Sequence, residues 1–201
     1  MALYLAFEGV DWSGKSTQAR LLADRLGRCA HSRTGWLRVL GAELRNLLLD
    51  ADRDAMSPRA ETLLMAADRA QHLDEIVEPA LAAGRHVVSD RSAFSSLAYQ
   101  GGGRGLGLEA VRSINDWAIA GRWPDLVIYL DIALGDAGQR TQRAPDRLEA
   151  EGSEFQQRAR DAYAAMMADD PDRWLVVVAS GSVDDVAEAI WSALTARLGE
   201  L

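Results

Sequence analysis

Short runs rich in apolar residues and free of Asp, Glu, Lys and Arg recur along the chain and alternate with stretches whose apolar residues return every three to four positions. Leu3-Tyr4-Leu5-Ala6-Phe7, His86-Val87-Val88-Ser89, Leu126-Val127-Ile128-Tyr129-Leu130 and Trp174-Leu175-Val176-Val177-Val178 are such runs, and runs of this length without a polar face predict strands buried on both sides. Residues 29–33 predict a brief further strand. Between them, Ala19, Leu22, Ala23 and Leu26 mark a helix that opens near Lys15 and stops at Gly27. A short helix is expected over 42–49. Ser57-Pro58 reads as a helix cap with proline in the first turn, opening a long helix that extends to Gly84. The tract Gly101-Gly102-Gly103-Arg104-Gly105 predicts a flexible loop, followed by a helix over about 107–120. A last helix, capped by Ser182, runs from Val183 to about Leu198. Strands alternating with helices predict an α/β fold with a parallel sheet covered on both faces.

Composition narrows the class. At 201 residues, with 48% hydrophobic and 26% charged, the chain is expected to be one globular domain over 1–201. The net charge of -8 argues against nucleic acid or an anionic membrane as partner, so any phosphate must be bound locally. A single cysteine, Cys29, excludes an internal disulfide and any multi-cysteine zinc site. No apolar stretch is long enough to span a bilayer and no leader pattern opens the chain, so a soluble, cytoplasmic protein is expected.

Of the 22 basic residues 21 are arginine, and the one lysine is Lys15. It sits in GVDWSGKS at 9–16, which satisfies the phosphate-loop pattern G-x-x-x-x-G-K-[ST] between a strand and a helix. In such a loop successive backbone N–H groups point at a phosphate, and Gly9 and Gly14 keep side chains out of the approach. Lys15 is expected to reach the outer phosphates, Ser16 to coordinate magnesium, and the helix N-terminus to add its positive end. The remaining nucleotide-binding positions are Asp11, Trp12, Ser13 and Thr17. A guanine-specific GTPase needs an N-K-x-D element, which a chain with its only lysine at position 15 does not have. ATP is therefore the expected nucleotide. Asp90 and Arg91 follow a strand and leave its carboxyl end beside the loop, where ligands gather in open α/β sheets.

Read together, FEGVDWSGKST at 7–17, LLMAADRAQH at 63–72, SDRSAFSSLAYQGGGRG at 89–105, YLDIALGDAGQR at 129–140 and DRLEAEGSEFQQRARDAY at 146–163 resemble the thymidylate kinase family almost end to end. The resemblance implies a phosphate-loop NTPase fold of three layers, with a five-stranded parallel sheet, flanking helices and a mobile lid. It implies transfer of a phosphoryl group from ATP to thymidine monophosphate with Mg2+, in a homodimer. Residue by residue, it gives Asp90 a part in organising magnesium and makes Arg91 the holder of the acceptor phosphate. Arg69 is similar to the arginine that reads the base carbonyl. Met65, Ser96, Tyr99 and Gln100 match positions lining the acceptor nucleoside, and Asp11 matches the acidic loop residue near the acceptor phosphate. The polar segment at about 140–152 matches the lid: Arg140 is placed to stack on adenine, while Arg143 and Arg147 are placed to neutralise charge in the transition state. Departures fall on the acceptor side, where Met65 replaces a common phenylalanine and Ser92 a tyrosine. Arg33-Thr34-Gly35-Trp36-Leu37-Arg38 likewise stands where many members have a proline and two glycines. They leave open a divergent enzyme acting on a modified pyrimidine nucleotide or other small metabolite; a separate alternative is a phosphate-loop protein that binds ATP without catalysis.

Overall fold

The structure, a computed structural model, describes residues 2–27, 29–33, 43–44, 46–48, 56–138 and 147–199. Five strands, β1 (Tyr4–Glu8), β2 (Cys29–Arg33), β3 (His86–Asp90), β4 (Leu126–Asp131) and β5 (Trp174–Val178), form one sheet in the order β2-β3-β1-β4-β5. Every neighbouring pair is parallel. The central strand β1 is paired on both sides, with Phe7 opposite Asp90 on β3 and Ile128 on β4. The carboxyl ends of β1 and β3 therefore lie side by side.

The helices are α1 (Lys15–Leu26), α2 (Pro58–His72), α3 (Glu78–Ala82), α4 (Ala93–Ser96), α5 (Leu108–Ala118), α6 (Leu134–Gly138), α7 (Ser153–Asp169) and α8 (Val183–Leu198). Residues 43–44 and 46–48 are also helical, within the expected short helix. One core cluster packs Leu5, Phe7, Leu130, Leu22, Ile190 and Leu194 between the sheet, α1 and α8. A second, with Tyr99, Phe155, Tyr163, Met166 and Trp174, fills the space below α7. The sheet thus lies between two helical layers.

The expected elements appear, with three instructive differences. The first strand runs one residue further than expected, through Glu8, because that carboxylate finds enough donors to be fully buried at the strand end. The long helix from Pro58 does begin at the Ser57 cap, whose side chain accepts from the Ala60 N–H at 3.3 Å. It does not run unbroken to Gly84: it widens into a π-helical stretch over Leu73–Val77 before α3. Pro79 brings no N–H to the ladder and its ring crowds the carbonyl four residues back, inside the widened turn.

The largest correction concerns the glycine tract. Gly101, Gly102 and Gly103 do not form a flexible loop; they end a second π-helical stretch, Leu97–Gly103, that continues α4. Glycine is needed there for close approach. A Cβ on Gly102 would lie 2.6 Å from the Ala162 Cβ and 2.9 Å from the Arg158 carbonyl oxygen, and one on Gly103 would lie 2.5 Å from the Phe155 ring. The bare backbone lets α7 pack directly on the segment that carries Tyr99 and Gln100, and Arg158 donates to the Gly103 carbonyl from Nε and Nη2 at 3.0 and 2.8 Å.

Candidate active site

The loop between β1 and α1 closes on itself around Lys15. Its Nζ donates to the Val10 carbonyl at 2.6 Å and to Ser13 Oγ at 3.2 Å, so the ammonium is held over the hollow that the loop encloses. Burial, with the Arg91 charge nearby, pulls the Lys15 pKa down to about 8. An arriving phosphate offsets both effects with its negative charge. Gly14 takes φ 96° at the start of α1, and Gly9, at φ 139°, has a reason the sequence did not show: a Cβ there would stand 2.8 Å from the Leu130 carbonyl oxygen on β4. Packing against the sheet, as well as access for a phosphate, requires that glycine. A cavity of about 600 Å³ opens over the loop, lined from Asp11 to Gln18, by Asp90, Arg91 and Glu149, and by Ala179, Gly181, Ser182 and the start of α8.

Asp90 and Arg91 arrive from the neighbouring strand. Ser16 Oγ donates to Asp90 Oδ2 at 2.5 Å, bringing a hydroxyl and a carboxylate together at the mouth of the loop. Both are hard oxygen donors of the kind magnesium takes while keeping water and phosphate as its other ligands. Arg91 has a positive φ of 78°, rare for a side-chain-bearing residue. Its N–H donates to Phe7 O at 3.0 Å, and its carbonyl accepts from Ser89 Oγ at 2.7 Å. Its guanidinium pairs with Asp11, donates to Ser95 Oγ at 3.1 Å and lies 5.2 Å from the centre of the Tyr99 ring. Tyr99 in turn donates to Asp11 Oδ2 at 3.1 Å. Burial, reinforced by Asp11, pushes the Tyr99 phenol above its ordinary range, so it stays a donor. Asp11, Arg91 and Tyr99 are thus one constellation at the edge of the phosphate loop.

Beneath it lies a residue that sequence reasoning missed. Glu8 is fully buried. Its Oε1 accepts from the Ser92 N–H at 2.8 Å, Ser92 Oγ at 2.7 Å and the Ser95 N–H at 3.2 Å, and its Oε2 accepts from Ser95 Oγ at 2.5 Å and Tyr163 OH at 2.7 Å. The carboxylate ties the first turn of α4 to the end of β1 and to α7. Ser92 also caps α4 by accepting from the Phe94 N–H at 3.2 Å. Nothing in the local pattern around Glu8 reveals this, because one of its partners lies 155 residues away.

On the side where the resemblance puts the acceptor, Arg69 is only 5% exposed, and its Nε and Nη1 make no hydrogen bond among the described residues; the Asp68 carboxylate stands 3.7 Å off. Ser96 Oγ is also buried without a hydrogen-bond partner among the described residues. Met65 lies one turn before Arg69 and packs against the cluster that holds Tyr99. Gln100 is buried, and its Nε2 donates to Glu61 Oε1 at 2.9 Å. Glu61, a second missed carboxylate, also receives Arg104 from Nε at 3.2 Å and Nη2 at 3.0 Å, and Arg147 Nη2 at 2.7 Å. Burial works to raise the Glu61 pKa, but the hydrogen bonds from Arg104, Gln100 and Arg147 outweigh it and hold the carboxyl below its ordinary value.

The structure does not bring Arg147 to the phosphate loop. Its guanidinium is occupied by Glu61 and by the Leu48 carbonyl, which accepts from Nε at 2.8 Å. Arg140 and Arg143 lie outside the described residues, as does most of Arg33–Arg38. Trp12, with a φ of 66°, stands in the loop directly after Asp11 and packs against the core cluster on that face.

Comparison with known proteins agrees with this geometry. A family model described as "Thymidylate kinase" matches residues 7–190. The chain is 42% identical to a thymidylate kinase of Synechococcus sp. (strain JA-3-3Ab) over 200 residues, covering 98% of this chain and 97% of that one. It is 44% identical to one of Solidesulfovibrio magneticus (strain ATCC 700980 / DSM 13731 / RS-1), covering 94% and 97%. The crystal structure of thymidylate kinase from Ehrlichia chaffeensis superposes with a TM-score of 0.80 at 26% identity, over 96% of this chain and 98% of that one. With its phosphate loop, the Asp90-Arg91 pair on the adjacent strand and this agreement over nearly its whole length, the chain belongs to the thymidylate kinase family.

Proposed function

We propose that the protein transfers a phosphoryl group from ATP to thymidine monophosphate, the whole chain acting as one phosphate-loop domain. The observation that carries this reading is the adjacency of β1 and β3. The donor cradle follows Glu8 and the acceptor arginine follows Asp90, on strands that pair in register, so donor and acceptor phosphates meet between Lys15 and Arg91. A transfer of this kind needs little covalent work from the protein beyond alignment and charge neutralisation.

Lys15 and the loop N–H groups hold the donor phosphates. Arg91, already oriented by Asp11 and Ser95, offers a guanidinium to the acceptor phosphate, and Asp11 keeps that fork aimed while the site is empty of substrate. The unsatisfied donors of Arg69 suit a base carbonyl, with Met65 as the packing wall and Ser96, Tyr99 and Gln100 lining the nucleoside. Ser16 and Asp90 are the residues that would hold Mg2+, which when bound supplies positive charge to the donor phosphates. Residues 140–152 form the lid, with Arg140 stacking on adenine and Arg143 neutralising the transferring group; Arg147 serves this second role only if it leaves Glu61. The protein works as a homodimer in the cytoplasm.

The test is a coupled assay with ATP, Mg2+ and a panel of nucleoside monophosphates. Turnover of thymidine monophosphate above the rest of the panel is expected. Activity confined to another phosphorylated compound sinks the acceptor assignment, and ATP binding without any transfer sinks the enzymatic one.

A further inference from the structure

Gln100 presents an NH2 group that donates on one side of its side-chain amide and an oxygen that accepts on the other, and which side faces the acceptor base decides which bases fit. Its neighbour Glu61 fixes that choice. Glu61 is fully buried, and two arginines keep its carboxylate ionised and therefore an acceptor only. Gln100 Nε2 donates to it at 2.9 Å. Turning the amide over would set two acceptor oxygens against each other in a buried site, which is unfavourable. Glu61, Met65 and Arg69 are spaced four residues apart on α2 and so share one face of that helix. Glu61 and Arg69 on it are buried, and α2 packs against α4 and the π-helical stretch that carries Gln100.

We propose that Glu61 is a positioning residue for acceptor-base specificity: by engaging Gln100 Nε2 it leaves Gln100 Oε1 to accept a hydrogen bond from the base, while Arg69, about two turns further along the same helix face, offers its Nε and Nη1. An acceptor together with donors matches a ring N–H next to a carbonyl, as in thymine or uracil. It opposes cytosine, whose corresponding ring nitrogen is an acceptor and whose exocyclic group is a donor. The inference rests on the acceptor reading given above, and adds a cause for its base preference in a residue that need not touch the substrate.

The experiment compares full-length wild type with Glu61→Gln. A glutamine at 61 can present either its oxygen or its NH2 group, so it no longer dictates the Gln100 orientation. The preference is read as the inhibition constant of deoxycytidine monophosphate divided by the KM for thymidine monophosphate. It is expected to fall by about tenfold, through a higher KM and tighter cytidine inhibition with kcat changed less, while Glu61→Asp retains it. An unchanged preference in a folded Glu61→Gln protein overturns the proposal, leaving Glu61 a support of the fold alone. A wild type that does not phosphorylate thymidine monophosphate overturns the acceptor reading itself, a result visible before any variant is made. Because Glu61→Gln strands Arg104, the double variant Glu61→Gln/Arg104→Gln is measured alongside. Should neither fold, hydrogen exchange of the Gln100 side-chain NH2 in the wild type decides. Strong protection supports the bond to Glu61, and exchange at the rate of an exposed glutamine overturns it.

Discussion

Lys15 shows how far one residue can be read from its type and surroundings. A chain that uses arginine at 21 of 22 basic positions has lysine where a compact charge must enter a loop of N–H groups too narrow for a planar fork. The structure adds a cost. The ammonium is buried with a pKa near 8, against an ordinary 10.5, so between those values the unfolded chain binds more protons than the folded one and stability rises with pH. Below pH 8 the full penalty applies, at most about 3 kcal/mol, reduced by the bonds to Val10 and Ser13. Lys15→Met should abolish transfer yet unfold at higher urea than wild type at pH 7, and that advantage should shrink as the pH approaches 10.5. A stability difference that stays flat over that range would show that the charged group is not buried as described. Met65 offers a second test at this scale. A thioether packs adaptably on a ring face, so Met65→Phe should lower the dissociation constant for thymidine monophosphate in calorimetry; weaker binding would mean that this side chain is not the wall.

Among the elements, those with a periodic pattern were legible and those made by close contact were not. The strands, the first helix, the Ser57 and Ser182 caps and the phosphate loop each have a local cause, and each stands where the pattern puts it, give or take a residue. The glycine tract at 101–103 was misread because glycine usually punctuates structure, whereas here it allows two segments to touch. Glu8 and Glu61 were invisible for a related reason: a single carboxylate has no period, and its burial depends on donors from distant elements. The tract makes a measurable prediction. Gly102→Ala puts a methyl 2.9 Å from the Arg158 carbonyl oxygen, an atom of the α7 backbone that cannot turn aside. Overpacking of this kind costs about 1–3 kcal/mol, and at this chain length each kcal/mol lowers Tm by about 2–4 °C. The same shift moves the segment holding Tyr99 and Gln100, so the KM for thymidine monophosphate should rise as well. A variant with wild-type Tm and KM would mean that α7 does not pack on bare backbone there.

For the molecule as a whole, a net charge of -8 repels nucleotides at long range, so attraction must come from a few cations concentrated where the ligands bind. Lys15 and Arg91 are two such cations, both at the carboxyl ends of adjacent central strands. Arg91 is held there by Asp11 and by Ser95 of α4, and α4 packs against α2, which gives the proposed homodimer a structural purpose. Helix α2 buries Glu61 and Arg69 but leaves Leu63 59% exposed, and α5, which packs against α2, leaves Trp117 86% exposed. Single exposed apolar residues are ordinary, but these two are large side chains on helices that touch, and α2 is the helix that carries the acceptor-side residues. A second copy covering them would brace that helix from outside. In sedimentation equilibrium the wild type should run at twice 21.9 kDa, and Trp117→Glu should return it to the monomer mass with a raised KM for the acceptor. A variant that stays dimeric would place the interface elsewhere, and a wild type that sediments as a monomer would remove the dimer from this reading.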